Sequence, residues 1–390
     1  MNNPIKIAVY SGVSPSTTFI ERLIGGLAKK GLKVFIFGQQ NHKKTSSENI
    51  FYFTYKNKLS KSLFLIKYCF LLSLYKGKEK KRLDKIILSK KRNSKLLKVK
   101  YYPVLYHCPD IFHMQWAKSI EDWMWVQEFG MKLILSLRGT HVTISPIADE
   151  RWKIKYSEYF HEIDGFHAVS KSMLSISELY GVEFSKMNIV KSGLDLRRLP
   201  FNSKTKKSGL VRIISIGRNH WVKGYTYALK CMKFLKEKGI DFHYTIVGVD
   251  TNEELLYQRS QFGLKNEVSF IDKMSFEEVL KKISMSNVLL LPSVEEGIAN
   301  VVLEAMALGT LVVSTDCGGM DEVLTNNENG FIVPIRDAEA MAEALHTVSD
   351  LSLENYNKIT KAARAFIEKQ HSHKKMIQEM NELYKQVINK

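Results

Sequence analysis

A chain of 390 residues with 45% hydrophobic content is too long for one core and apolar enough for two, so two domains of fewer than about 200 residues each are expected. The four cysteines, Cys69, Cys108, Cys231 and Cys317, show no Cys-x-x-Cys spacing, which excludes a disulfide framework and a clustered zinc site and fits a reducing cytoplasm. A net charge of +18 asks for an anionic partner, either a membrane surface or a nucleic acid.

The first expected strand, Ile5 to Tyr10, starts so soon after Met1 that no signal peptide is expected. The loop Ser11-Gly12-Val13-Ser14-Pro15 follows, then an amphipathic helix from about Ser16 to Lys30, stopped by Gly31, and a strand from Lys33 to Phe37. Between Lys56 and Lys100 stand 16 Lys or Arg against only Glu79 and Asp84, which places +14 of the +18 in one segment. It reads as a basic helical insertion, 56–100, made of two helices. The apolar residues Leu63, Phe64, Leu65, Tyr68, Phe70, Leu71, Leu72 and Tyr75 precede the densest lysines. That pattern suits an anionic membrane, at about 1 kcal/mol per well-placed cation, with a solvated helical face as the plainer alternative. The apolar run Ser62 to Tyr75 is interrupted by Lys67 and is too short to span a bilayer. Nucleic acid is not the expected partner, because the cations cluster as Lys instead of interleaving Arg with aromatic residues. Strands are further expected at Asp110 to His113, Lys132 to Ser136, Gly165 to Val169 and Asn188 to Val190. This alternation with helical patterns argues for an α/β fold with parallel sheets.

Periodicity lapses over 196–210, a polar stretch read as an interdomain linker. The alternation then resumes, with strands at Val211 to Ile216, Tyr244 to Val247, Val268 to Ile271, Val288 to Leu291, Leu311 to Ser314 and Phe331 to Val333, and a last helix at about Lys374 to Ile388. The Gly-x-Gly-x-x-Gly signature is absent, which speaks against a redox cofactor. No two aspartates fall at i and i+2, so an Asp-x-Asp metal grip is missing as well.

The chemistry concentrates in Glu296-Gly-Ile-Ala-Asn-Val-Val-Leu-Glu304. Glu296 stands in the loop after an apolar strand, and Gly297 lets the backbone approach a ligand. The N–H groups of Ile298, Ala299, Asn300 and Val301 open a helix and offer an anion site. Glu304 follows at i+4 from Asn300. Two carboxylates repel a bare diphosphate, so their partners should be sugar and ribose hydroxyls. Upstream, Gly217-Arg218-Asn219-His220-Trp221-Val222-Lys223-Gly224 follows another apolar strand. Arg218 supplies a fork of donors and Lys223 a point charge, as a leaving nucleoside diphosphate requires in place of a metal.

These two segments together resemble the retaining glycosyltransferases of family 4, with their Gly-Arg and Lys-Gly pair and their Glu, seven residues, Glu element. The resemblance implies a GT-B fold, two facing Rossmann-like domains with an interdomain cleft: 1–195 for the acceptor, a linker at 196–210, 211–370 for the nucleotide sugar, and a closing helix at 371–390 returning to the first domain. It implies Glu304 as the ribose acceptor, Glu296 as the carboxylate on the transferred sugar, and Gly248 and Asp272 at the base, Asp272 standing where a glycine is usual. Gly217, Arg218, Lys223 and the 297–301 backbone would hold the diphosphate. Gly318-Gly319 is either a loop bordering the diphosphate or a plain turn. In the first half, Ser16-Thr17-Thr18-Phe19-Ile20, Pro109-Asp110-Ile111-Phe112-His113-Met114-Gln115 and Leu137-Arg138-Gly139-Thr140-His141 resemble family stretches, with Gln115 in place of a histidine and His141 in place of an aspartate. Gly12 would face the donor phosphates and His141 would touch substrate. The implied reaction is a metal-independent transfer with retention from a UDP- or GDP-sugar to a saccharide or lipid-linked acceptor, forming an α-bond in cell-surface polysaccharide or glycolipid synthesis at the inner membrane face. A nucleotide-sugar epimerase of the same architecture and a basic nucleic-acid-binding protein are the rival readings.

Overall fold

Short apolar runs become the strands of two parallel sheets. A computed structural model describes residues 4–40, 47–205, 209–249 and 251–390, apart from the side chain of Ser177. Met1 to Asn3, at the expected leaderless start, and Lys206 to Ser208, within the expected linker, lie outside the described residues. The chain divides into two units, Met1–Val169 with Met173–Val190 and Lys374–Lys390, and Ser170–Ser172 with Lys191–His373.

The first unit contains Lys6–Tyr10 (β1), Val13–Ser14 (β2), Lys33–Gln40 (β3), Ile50–Tyr55 (β4), Ile111–Met114 (β5), Lys132–Leu137 (β6), Gly165–Ala168 (β7) and Met187–Ile189 (β8). Their order is β2-β3-β1-β5-β6-β7-β8, with β4 also on β3 and every pairing parallel. Both faces of a parallel sheet are covered, which is why the inner strands read as unbroken apolar runs. The strand β4 went unexpected, although Ile-Phe-Tyr-Phe-Thr-Tyr is a run of strongly β-prone residues.

The basic segment forms three helices, not two: Lys58–Tyr75, Gly77–Ser89 and Ser94–His107. The backbone breaks helical geometry at Lys76, whose N–H still donates to the Leu72 carbonyl, and the Asn93 side chain caps the third helix by accepting from Leu96 N–H. Caps of this kind outweigh a continuous Lys-rich pattern.

The helix His373–Asn389 belongs to the first unit, and its Met376, Ile377, Met380, Leu383, Tyr384 and Val387 form one buried stripe. Tyr384 Oη lies 2.8 Å from His113 Nδ1, His113 Nε2 lies 2.8 Å from Ser136 Oγ, Ser136 Oγ lies 2.9 Å from His167 Nδ1, and His167 Nε2 lies 3.0 Å from the Val190 carbonyl. The carbonyl only accepts, so with neutral rings His167 Nε2–H donates to it. Each donor then follows in turn: Ser136 Oγ–H to His167, His113 Nε2–H to Ser136, and Tyr384 Oη–H to His113. The chain of bonds pins the last helix to β5, β6 and β7.

The second unit contains Val211–Ile216 (β9), Phe242–Val247 (β10), Val268–Ile271 (β11), Val288–Leu291 (β12), Leu311–Thr315 (β13) and Phe331–Val333 (β14), in the order β11-β10-β9-β12-β13-β14, all parallel. The stretch expected as a linker is tied down within this unit. Lys204 Nζ donates to the carbonyls of Ser284 and Ser286, and Arg364 Nη1 donates to that of Leu199. Polar composition here reflects these backbone contacts as well as solvent.

Candidate active site

The carboxyl ends of β9, β10 and β12 carry the residues singled out in the second half, and open parallel sheets hold ligands at that end. Gly217 and Gly248 end β9 and β10 side by side: Gly217 N–H donates to the Val247 carbonyl at 3.0 Å, and a Cβ on Gly248 would collide with the Gly217 carbonyl. After Gly217 the chain makes a tight turn, in which the Val222 N–H donates to His220 Nδ1 at 3.3 Å. Arg218 is exposed and makes no hydrogen bond or ion pair with a described residue. Burial, then the charges of Arg218 and Lys223, hold the His220 imidazole below its ordinary pKa.

Lys223 leaves this turn and meets the loop after β12. Its Nζ donates to Glu296 Oε1 at 2.5 Å, and the two side chains are 20% and 17% exposed. Ser293 Oγ donates to the same oxygen at 3.0 Å. The two loops are fastened further by Val294 N–H on the Val222 carbonyl, 2.7 Å, and the second is tied to β13 by Thr315 Oγ1 on the Ser293 carbonyl, 2.6 Å. Gly318 takes a positive φ beside this loop, and any Cβ there would strike the Glu296 carbonyl oxygen. Two residues missed in the sequence join the site. Ser293 orients Glu296, and Tyr225 Oη, closed to solvent and without a hydrogen-bond partner among the described residues, lies against Gly217, as does the Lys223 stem. Burial, then the Glu296 charge, raises the Tyr225 pKa. The place of Tyr225, just after Lys223-Gly224, was the available signal.

The helix Asn300–Leu308 starts without a side-chain cap, because its N-cap is Ala299. Its opening N–H groups therefore lack the oxygen that usually satisfies them. Ile298 and Ala299 are buried, and Gly297 is fixed through its carbonyl, which accepts from Gly319 N–H at 3.1 Å. Val301 is half-buried on the first turn. Glu304 is only 5% exposed, so it is no solvated surface charge. Asp272 follows the edge strand β11, is exposed, and accepts from the Lys273 N–H.

Gly12 and His141 belong to the first unit. Gly12 follows β1, and its carbonyl accepts from Gln39 N–H at 3.2 Å. His141 lies on the turn Thr140–Thr143 with its ring 5.4 Å from that of Trp116, and its carbonyl accepts from Tyr156 Oη at 2.9 Å. Among the described residues no three His, Cys, Asp or Glu side chains converge as a metal would require.

Residues 198–366 match the family model of the glycosyl transferases group 1. The chain is 30% identical over 246 residues to a protein named as the colanic acid biosynthesis glycosyltransferase WcaL of Escherichia coli K12, covering 60% of this chain and 61% of that one. It is 28% identical over 227 residues to the amylovoran biosynthesis glycosyltransferase AmsK of Erwinia amylovora, covering 55% and 56%. The match thus spans little more than half the length of these relatives. Among solved structures, sucrose-phosphate synthase from Thermosynechococcus elongatus superposes with a TM-score of 0.76 at 17% identity over 99% of both chains. Anabaena HepE, solved with UDP and glucose, superposes with a TM-score of 0.70 at 14% identity over 98% of this chain and 100% of that one. At such identities the likeness concerns the fold, which is that of GT-B proteins. Residues 198–366, somewhat less than half of the chain, are thus the part that is similar to the glycosyl transferases group 1.

Proposed function

We propose that the protein transfers a sugar from a nucleotide diphosphate sugar to a saccharide or lipid-linked acceptor, with retention and an α-bond, in the synthesis of a cell-surface polysaccharide. The relatives named for colanic acid and amylovoran synthesis support the last part. The observation that carries the reading is the Lys223–Glu296 pair beside an uncapped helix start. A diphosphate brings at least two charges to a lysine now shared with one carboxylate, so Coulomb attraction favours moving Lys223 onto the leaving group. Arg218 and the first N–H groups of the helix add donors, and Glu296, still held by Ser293, is released to accept hydroxyls of the transferred sugar. Developing charge on the leaving phosphate is thereby met by protein groups, without a resident metal. The test is thermal unfolding with UDP- and GDP-sugars, followed by assignment of the product's anomeric linkage with a saccharide acceptor. Donor cleavage giving a β-linked product, or an epimer formed from donor alone, would reject this reading.

The helix Lys58–Tyr75 supports placing that activity at an anionic membrane. Tyr68 and Leu72 face the core, while Leu59, Leu63, Ile66, Phe70 and Leu74 form a second stripe that is 59–71% exposed. A helix apolar on two sides needs a second apolar neighbour. Lys56, Lys58, Lys67 and Lys78 are exposed, and no carboxylate of a described residue pairs with them. No helix among the described residues is long and apolar enough to cross a membrane. The stripe would lie in the interface plane, with the lysines at the anionic headgroups.

A further inference from the structure

Gln115 follows β5 and Arg138 follows β6, adjacent parallel strands of the first unit, so both stand at the end of the sheet where ligands are held. Arg138 Nη2 donates to Gln115 Oε1 at 3.2 Å, and the guanidinium lies 4.6 Å from the centroid of the Phe19 ring. These contacts orient the cation without neutralising it. Arg138 Nε and Gln115 Nε2 are closed to solvent and have no acceptor among the described residues, and Gln115 is fully buried. Burial brings the Arg138 guanidinium down to about 10, and no carboxylate of a described residue pairs with it.

Arg138 is half-buried with its Nε closed off, and a guanidinium so withdrawn from water is unfavourable unless an anion meets it, while buried N–H groups are nearly always satisfied. The missing partner must accept from both nitrogens and carry negative charge, which describes an oxyanion. We propose that Arg138 and Gln115 form a receptor for the carboxylate or phosphate of an acidic acceptor sugar. This rests on the transferase reading and narrows its acceptor to an acidic saccharide. A neutral sugar would leave the same donors unpaired, which is how such a site discriminates. The donor's own diphosphate is the competing source of an oxyanion. It already has Arg218, Lys223 and the helix start in the second unit.

The experiment is thermal unfolding of the full chain with D-glucuronate, glucose 6-phosphate, D-glucose and UDP, for the parent, Arg138→Met and Gln115→Leu. An acidic sugar should raise the parent's midpoint where glucose does not. Both variants should lose at least tenfold in apparent affinity for the acidic sugar and keep the UDP response. Unliganded Arg138→Met should unfold no earlier than the parent, since it removes an uncompensated charge, whereas a purely structural arginine predicts a lower midpoint. No acidic-sugar response in the parent, or an undiminished one in the variants, overturns the proposal. Loss of the UDP response in Arg138→Met overturns it as well, by assigning the oxyanion to the donor. Absence of any nucleotide response in the parent instead strikes the transferase reading itself. Should Arg138→Met fail to fold, Gln115→Leu, which retains the charge, decides alone.

Discussion

Lys223 Nζ stands 2.5 Å from Glu296 Oε1, so the cation and the carboxylate singled out for different parts of a donor are bonded to each other. This pair is more buried than a surface salt bridge and is supported by Ser293, so breaking it changes more than a solvated contact. Lys223→Ala should weaken nucleoside diphosphate binding by roughly 2 kcal/mol, the scale of a charged hydrogen bond. Glu296→Gln should do the opposite. It removes the competitor for Lys223, so calorimetry should find diphosphate bound as tightly as in the parent or more tightly, with turnover reduced. Equal weakening by both changes would mean that the pair serves only the fold.

Glu304 is distinguished from Glu296 by its burial. If it accepts ribose hydroxyls, Glu304→Ala should weaken nucleoside diphosphate and nucleotide sugar alike, by about 1.5–3 kcal/mol for hydrogen bonds to a charged group. Titrations with both ligands check this. A loss confined to the nucleotide sugar would transfer the ribose contact to another residue.

Acid should loosen the first unit through its buried histidines. Burial, then the nearby Arg138 charge, brings His167 down to about 3; burial, then His167 and Arg138, puts His113 well below its usual value. Both folded values lie below the unfolded value of about 6.5, so the unfolded chain binds more protons in that window. The stability they contribute is complete above about pH 6.5. It falls as pH drops toward 3, by about 1.4 kcal/mol per pH unit for each ring. His107, lowered to about 4 by burial and nearby lysines, adds to the parent's slope, so the comparison is with His167→Gln. Denaturant unfolding at pH 7.5, 6 and 5 should give a shallower fall in that variant. Identical slopes would show that His167 titrates normally in the fold.

For membrane docking, ion pairing decides which cations are available to an anionic surface. Lys80 pairs with Asp84, Arg82 with Glu128, Arg92 with Glu121 and Asp122, Lys98 with Asp84 and Lys100 with Asp122. Beyond Asp84, which the segment itself contains, Glu121, Asp122 and Glu128 thus offset part of its charge. Changing Leu63, Ile66 and Phe70 to Ser should abolish binding to acidic liposomes, since burying such side chains contributes roughly 1.5–3 kcal/mol each. Changing Lys58, Lys67 and Lys78 to Gln should weaken binding by about 1 kcal/mol per charge, and salt should weaken the parent similarly. Co-sedimentation gives the answer, and equal recovery on neutral and acidic vesicles would leave the stripe without this role.

Much was legible locally. The strands Val211–Ile216, Val268–Ile271, Val288–Leu291 and Phe331–Val333 were read to the residue, because each is a short, mostly apolar run between turn residues. The two motifs of the second half were legible for the same reason: loop, glycine and helix start are all local. The edge strand Ile50–Tyr55 and the division of the basic segment into three helices were not, since neighbours and caps decided them. Tertiary structure alone paired Lys223 with Glu296 across 73 residues and Tyr384 with His113 across 271. It also buried Glu304, neutralised some lysines and spared others, and left Arg138 Nε without an acceptor among the described residues. Periodicity records which face of an element is apolar; which charge meets which depends on how distant strand ends are brought together, and no local pattern carries that.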